Sequence, residues 1–372
     1  MKIVIVGTFP PFRGGISNFY QTLYEKLSYE HDVTAINFSL QYPNILFPGK
    51  SQYDNNLKSD INIERTINSI YPISWKKTAN KIIELEPDLI IFKYWIPFLA
   101  PSFRSIIKHT KKKISVKSLV ICDNIIPHEN RPFDKLLTKS FFKYIDHFIV
   151  MSKSVEKDLL FLFPDAKYIY TPHPLYDIFG KSNNKDKSKR YLQIHENKVI
   201  LFFGLIRPYK GLDLLIEASK TLKEKLNNFK ILVVGDCYEN PEPYSKMINK
   251  NGLNDIFDMR FEFVPNDKVN IYFSAADVIV LPYKSATQSG IVPVAYHFDK
   301  PVIVTNVGGL SEIVQEGKTG YVVYPEPNEI ADGILKYYNN SDKINFVENI
   351  KSYKDNFTWN KFIEKIERIF IQ

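Results

Sequence analysis

Only two cysteines, Cys122 and Cys237, occur in 372 residues. They lie far apart, each near the end of an apolar run, so neither a disulfide framework nor a cysteine-based metal site is available. Two isolated buried thiols suit a reducing compartment. Long hydrophobic runs are missing as well. The opening "MKIVIVG" is too short for the core of a signal peptide and reads as a first strand. The longest apolar stretch, "DLIIFKYWIPFLAP", is broken by Lys93 and by prolines, short of the roughly 20 residues that span a bilayer. Membrane contact is therefore expected to be peripheral, and the chain cytoplasmic. The GxGxxG fingerprint is also absent, and no acidic residue closes a clear second strand to hold an adenosine ribose, which disfavours a nicotinamide enzyme.

Aromatic residues are plentiful, with 23 Tyr and 27 Phe. A chain of this length predicts two domains, each able to bury a substantial core. The formal net charge is +8, and most of the excess falls in residues 1–180, densest at Lys108, Lys111, Lys112, Lys113 and Lys117. Such a patch suits nucleic acid, an anionic membrane or a phosphorylated substrate, and equally a solvated helix end. The basic residues do not interleave with a recognition module, so no nucleic-acid partner is expected.

Strands and helices alternate throughout. "KIVIVG", "HDVTAINF", "DLIIFKY", "SVKSLVICD" and "DHFIVMS" read as strands, most of them unbroken apolar runs, as parallel strands buried on both faces require. Ile16, Phe19, Tyr20, Leu23 and Leu27 recur at helical spacing. Residues 40–70 read as a mobile excursion with some helix. "GKSNNKDKSKR" at 180–190 has the composition of a linker. The pattern then restarts with "KVILFFG", "KILVVGD", "RFEFV", "DVIVLPY" and "KPVIVTN". The fold class is α/β with two doubly wound domains, 1–180 and 195–355, followed by a helix over 356–372. That helix carries Trp359, Phe362, Ile363, Ile366 and Phe370 on one face and packs either across both domains or within the second. Ligands of such sheets bind at the carboxyl ends of the strands.

Three loops carry the chemistry. Gly14 and Gly15 end the first strand-to-helix loop, where glycine lets backbone N–H groups approach an anion; a plain turn explains them equally. Arg207 and Lys210, in "FFGLIRPYKGLDLLIEA", precede a helix N-terminus and together suit a diphosphate. In "SATQSGIVPV", Thr287, Gln288, Ser289 and Gly290 place small polar residues at the head of an apolar helix expected over 290–298. A serine N-cap explains Ser289 alone; the whole run reads as a second anion cradle.

Taken together, "RGGISNF", "FGLIRPYKGLDLLIEA", "VVGD", "FSAADVIVLPY" and "KPVIVTNVGGLSEIVQEGKTGYVV" resemble the retaining glycosyltransferases of family 4. The match is dense over 195–335 and looser before it. The resemblance implies the GT-B fold, two Rossmann-like domains facing each other across a cleft, with an acceptor-binding N-terminal domain. It implies a UDP- or GDP-linked sugar as donor, no separate cofactor and no metal. By position, Lys210 holds the diphosphate, the amides of Gln288, Ser289, Gly290 and Ile291 meet diphosphate and sugar, and Gly15 sits near donor phosphate and acceptor. Three departures stand out. The family's two glutamates, eight positions apart, are Ala286 and Val294 here. Its arginine five residues before the lysine is Leu205, with Arg207 nearby. Its N-domain histidine is Asp123, with His128 five residues on as another group for the sugar.

The resulting expectation is a hexosyltransferase that builds a surface polysaccharide or lipopolysaccharide on a glycan or polyprenyl-linked acceptor. The missing glutamates also admit a non-catalytic subunit that supports a partner transferase. In "RPFDKLLTKSFFKYI", Phe133, Leu136, Leu137, Phe141 and Phe142 alternate with Lys135, Lys139 and Lys143 on a predicted helix. That helix suits an anionic bilayer surface or ordinary core packing with lysines outward.

Overall fold

The computed structural model describes residues 1–43, 45, 47, 51–54, 61–127 and 132–371. The chain forms two compact units, Met1–Pro172 with Trp359–Gln372, and His173–Thr358. Strands are numbered in chain order.

Unit one holds β1 (Lys2–Gly7), β2 (Asp32–Leu40), β3 (Ile63–Asn68), β4 (Leu89–Tyr94), β5 (Lys117–Cys122), β6 (His147–Val150) and β7 (Tyr168–Tyr170). They form one parallel sheet in the order β3-β2-β1-β4-β5-β6-β7. Ile3 and Ile5 pack with Phe19 and Leu23 on one face, whereas Val4 and Val6 pack with Phe92 and Phe103 on the other. Successive strand residues point to opposite faces, and both faces are covered, so the strands carry no polar alternation.

Unit two repeats the design with β8 (Lys198–Phe203), β9 (Phe229–Val234), β10 (Phe257–Arg260), β11 (Val278–Leu281), β12 (Val302–Thr305) and β13 (Gly320–Val323). Their order is β10-β9-β8-β11-β12-β13, again parallel. The chain winds outward from β8 to β10, returns to β11 beside β8, and winds the other way. The order therefore reverses between β8 and β11 in this unit and between β1 and β4 in the first. A crevice opens outside the carboxyl ends of the strands at such a reversal.

Two local expectations gave way. The polar stretch at 180–190 is not an unstructured linker, because Lys185–Leu192 is a helix of unit two. The Asn184 side chain accepts from the Lys187 amide to cap it, and Ser188 and Leu192 are buried beneath a charged outer face. "RFEFV" is a strand only as far as Arg260, the last residue of β10. Within 40–70, Ile63–Asn68 is a strand paired to β2. Cys122 is buried and Cys237 half-buried, both as free thiols.

The helix Trp359–Ile371 belongs to unit one. Trp359 and Phe362 place their rings 5.0 and 5.7 Å from Phe19, and His31 Nε2 lies 3.1 Å from Glu367 Oε1. The side chain of Phe370 lies outside the described residues. Phe362 is buried in the same core as Phe19, Leu23 and Ile366. Phe362→Ala is expected to destabilise unit one by about 3–5 kcal/mol, read as a lower urea midpoint with an unchanged slope. A midpoint equal to wild type would mean that the helix does not seal this core.

Candidate functional site

In unit two, the loops after β8 and β11 are laced together at the reversal point. The loop after β8 ends in a 3-10 turn, Pro208–Lys210, followed by Gly211 at φ 70°. A Cβ at Gly211 would lie 1.8 Å from the Pro282 carbonyl oxygen, so only glycine permits this approach. The Lys284 amide donates to the Tyr209 carbonyl at 2.7 Å, and Lys284 Nζ pairs with Asp213 Oδ2 at 2.5 Å.

Lys210 stands in the middle of this lacing. Its Nζ lies 3.9 Å from the Tyr283 ring centroid and donates to Tyr283 Oη at 2.6 Å. Among the described residues no carboxylate forms an ion pair with it. Burial holds its pKa below the usual 10.5, since desolvation penalises the charged amine. Tyr283 Oη in turn lies 3.3 Å from Ser289 Oγ, and burial pushes the phenol's pKa up. The phenol therefore stays neutral beside the ammonium. A half-buried ammonium whose neighbours are a phenol and aromatic faces has the chemistry to receive an anion. Tyr283 escaped the sequence reading because it looked like the end of an apolar run.

The run Thr287–Gly290 sits beside Tyr283. Thr287 and Ser289 are buried, and Gln288 and Gly290 are half-buried. The Thr287 carbonyl accepts from the Gly309 amide at 3.1 Å. Gly308, at φ 50°, lies so close that a Cβ would fall 1.5 Å from the Ala286 oxygen. This strap fixes the run against the loop after β12. The following helix is Ile291–His297, shorter at both ends than the expected 290–298. Pro293 supplies no N–H, and the Ile291 amide donates to Ser289 Oγ at 3.2 Å. The Ile291 amide is thus engaged by the protein itself. Tyr176, also unforeseen, packs over Gly290: a Cβ there would lie 3.4 Å from Tyr176 Cε2. Tyr176 Oη is held 3.2 Å from His173 Nε2.

Arg207 and Lys210 do not converge as the sequence suggested. Ile206 bridges to Cys237 in the loop after β9, which turns Arg207 toward that loop. There its Nη1 donates to Glu239 Oε1 at 3.3 Å and its guanidinium lies 5.8 Å from the Tyr238 ring. Lys210 turns instead toward β11. Ala286 and Val294 are buried in the apolar core of the unit, so neither side chain offers a polar atom.

In unit one, Gly14 is the N-cap at φ 102° of the helix Gly15–Leu27, at the carboxyl end of β1. Asp123 follows β5, its amide donating to the Tyr94 carbonyl at 2.8 Å. Its Oδ1 pairs with Lys93 Nζ, so Asp123 is not a solitary carboxylate but half of a buried ion pair. Lys93 was legible only as an interruption of an apolar strand. His128 lies outside the described residues.

Anion binding should draw the Lys210 pKa back up, so the protonated amine and the anion bind together. Affinity is then full below the depressed pKa of the free protein and is lost as pH rises through it. Calorimetric titration with inorganic pyrophosphate is expected to show weakening as pH rises through the lowered Lys210 pKa toward the ordinary lysine range, with proton uptake on binding. Lys210→Met is expected to remove both the affinity and its pH dependence. Binding independent of pH would reject the site.

Residues 183–356 match the family described as glycosyl transferases group 1. An uncharacterized glycosyltransferase of Methanocaldococcus jannaschii is 31% identical over 173 residues, 46% of this chain and 47% of its own length. A lipopolysaccharide 1,2-N-acetylglucosaminetransferase of Salmonella typhimurium is 27% identical over 198 residues, 50% of this chain and 52% of its own. The chain thus spans about half the length of these two relatives. Over its whole length it superposes on Anabaena HepE in complex with UDP-glucose, with a TM-score of 0.77 at 17% identity, covering 100% of both chains. The parallel doubly wound sheets and this likeness give the chain the GT-B fold, and its second unit is a domain of the group 1 glycosyltransferase family.

Proposed function

We propose that the chain is a family 4 retaining glycosyltransferase that moves a hexosyl group from a UDP- or GDP-linked donor to a glycan or polyprenyl-linked acceptor. The pathway in this reading is surface polysaccharide or lipopolysaccharide synthesis. The observation that carries it is the half-buried Lys210 ammonium on Tyr283, without an ion-pair partner among the described residues, at the reversal point of the family-matching unit. The lipopolysaccharide relative and the UDP-glucose bound to Anabaena HepE support the donor class and pathway.

The chemistry follows from charge. The anomeric carbon–oxygen bond to the diphosphate breaks, and the acceptor oxygen bonds to that carbon from the same face. The acceptor proton passes to the departing phosphate. Negative charge grows on the diphosphate, and Lys210 with the amides of 288–290 meets it. Preorganised donors at such a position contribute about 100- to 1,000-fold in kcat each. No metal is needed in this reading, and the donor nucleotide is a substrate, so no cofactor is invoked.

One observation favours a second reading, a non-catalytic subunit that supports a partner transferase. Ala286 and Val294 are core residues where family members place glutamates. The two readings separate on turnover by the purified chain. In the leading reading, UDP or GDP raises the melting temperature, and wild type hydrolyses or transfers from the matching nucleotide sugar. Lys210→Ala lowers that turnover at least about 100-fold with the fold intact. A nucleotide response without turnover supports the subunit reading, and no response to either nucleotide rejects the donor assignment.

We further infer that unit one meets an anionic membrane from the cytoplasmic side. Among the described residues no helix is long and apolar enough to cross a membrane. Phe141 and Phe142 of the helix Asp134–Phe142 go to the core, but Phe133, Leu136 and Phe161 are 74%, 63% and 68% exposed. Lys135 Nζ lies 5.2 Å from the Phe161 ring, with Lys139 and Lys143 on the same helix or at its end. Exposed apolar side chains ringed by lysine suit an interface with anionic headgroups. Sedimentation with phosphatidylglycerol vesicles is expected at low salt, to weaken at high salt, and to fail for Phe133→Ser/Leu136→Ser. Binding equal for neutral and anionic vesicles would reject the electrostatic part.

A further inference from the structure

We propose that Lys93 is a positioning residue for sugar recognition in unit one: its buried ammonium holds the Asp123 carboxylate in one orientation to accept hydrogen bonds from sugar hydroxyls. This rests on the glycosyltransferase reading above and adds a residue that the family pattern does not supply.

Register creates the pair. Lys93 in β4 lies opposite Ile121 in β5, and Asp123 is two residues further on, on the same face because side chains alternate. The Lys93 side chain is 2% exposed and that of Asp123 18%. Lys93 Nζ lies 3.9 Å from the Phe19 ring centroid, near the start of the helix that Gly14 caps. The Lys93 amide donates to Tyr20 Oη at 2.7 Å, and Tyr20 Oη donates to the Val6 carbonyl at 3.0 Å. The ammonium is therefore walled by β4, β5 and that helix, while the carboxylate it holds reaches the surface at the carboxyl ends of the strands.

Stability alone does not explain such a pair. All of Leu89–Tyr94 is buried, and every other residue of the strand is apolar. Replacing a buried ion pair with well-packed apolar residues is often neutral or stabilising, because both ions give up their hydration. A charge kept in that setting, one layer beneath a partly exposed carboxylate, points to the carboxylate's function. Of the other titratable groups that face the pair, Tyr20 and Cys122 both have their pKa raised by burial and remain neutral. Burial lowers the Lys93 pKa while Asp123 raises it, so the two charges sustain each other. A carboxylate fixed in this way accepts from two hydroxyls of a sugar, as a neutral imidazole in the same place would not.

The test uses the full chain with Lys93→Arg, Lys93→Met, Asp123→Asn and the double variant Lys93→Met/Asp123→Asn. Melting curves control for folding, and the double variant leaves neither charge buried alone. Turnover is measured with the nucleotide sugar that wild type accepts. Asp123→Asn and the double variant are expected to lose kcat/KM roughly 10- to 100-fold at every pH, with the thermal shift by the free nucleotide unchanged. Lys93→Met is expected to lose kcat/KM to a similar extent, because nothing then holds the carboxylate in one orientation, with the thermal shift by the free nucleotide again unchanged. Lys93→Arg, which keeps the charge, stays near wild type. Wild-type activity in the double variant overturns the proposal, because the pair is then structural only. So does wild-type kcat/KM in Lys93→Met, or a Lys93→Arg variant that falls as far as Lys93→Met while folding normally. If wild type turns over no nucleotide sugar, the enzyme reading fails separately, and methyl glycoside binding by saturation-transfer NMR decides this one. Binding lost in Asp123→Asn supports it, and binding unchanged overturns it.

Discussion

The site in unit two depends on one arrangement, a lysine ammonium seated on a neutral phenol where the strand order reverses. Lys210 reaches Tyr283 because Gly211 lets its loop touch the Pro282 carbonyl and because Lys284 ties backbone and side chain across the same gap. Tyr283 offers the ammonium a π face and an oxygen without a competing negative charge. A carboxylate there would neutralise Lys210 and abolish its appetite for a diphosphate. A purely apolar wall would leave the amine too costly to charge. The phenol lies between these limits.

The same economy explains how the unit tolerates losing polar residues elsewhere. Ala286 and Val294 belong to the core under the cradle, so the run Thr287–Gly290 is held by backbone contacts to Gly308 and Gly309 rather than by long side chains. In the proposed reaction a site built from backbone and one cation can stabilise growing charge on a leaving group, because preorganised dipoles need no reorganisation. Tyr176 packs over Gly290 and is hydrogen-bonded to His173, which holds the end of the run from the other side.

Unit one uses charge differently. Its buried lysine has a carboxylate partner, and that partner lies at the carboxyl ends of the strands, where ligands of doubly wound folds gather. In one unit a lysine ammonium rests on a phenol, and in the other it is paired with a carboxylate of the protein's own. In the proposed reading the first suits an anionic donor and the second neutral hydroxyls.

Much of the fold was legible from the residues alone. Runs such as Leu89–Tyr94 and Val278–Leu281 are apolar without alternation because both sheet faces are covered, and that signal does not depend on neighbours. The small polar residues at 287–290 and the Lys-Gly pair at 210–211 were visible for the same reason, since each departs from its local pattern. Side-chain partnership was not legible. Arg207 and Lys210 are three residues apart, yet the pairing of Ile206 with Cys237 sends one toward β9 while the 3-10 turn sends the other toward β11. Lys93 and Asp123 are 30 positions apart and meet only through the parallel register of β4 and β5. The polar stretch at 180–190 looked like a linker because its charged face dominates the composition, while two buried side chains and an asparagine cap make Lys185–Leu192 a helix. The sequence thus determined which segments are strands and which positions bear unusual residues, because burial and backbone freedom act residue by residue. Which charges meet was decided by strand order and register, which exist only once distant segments have packed.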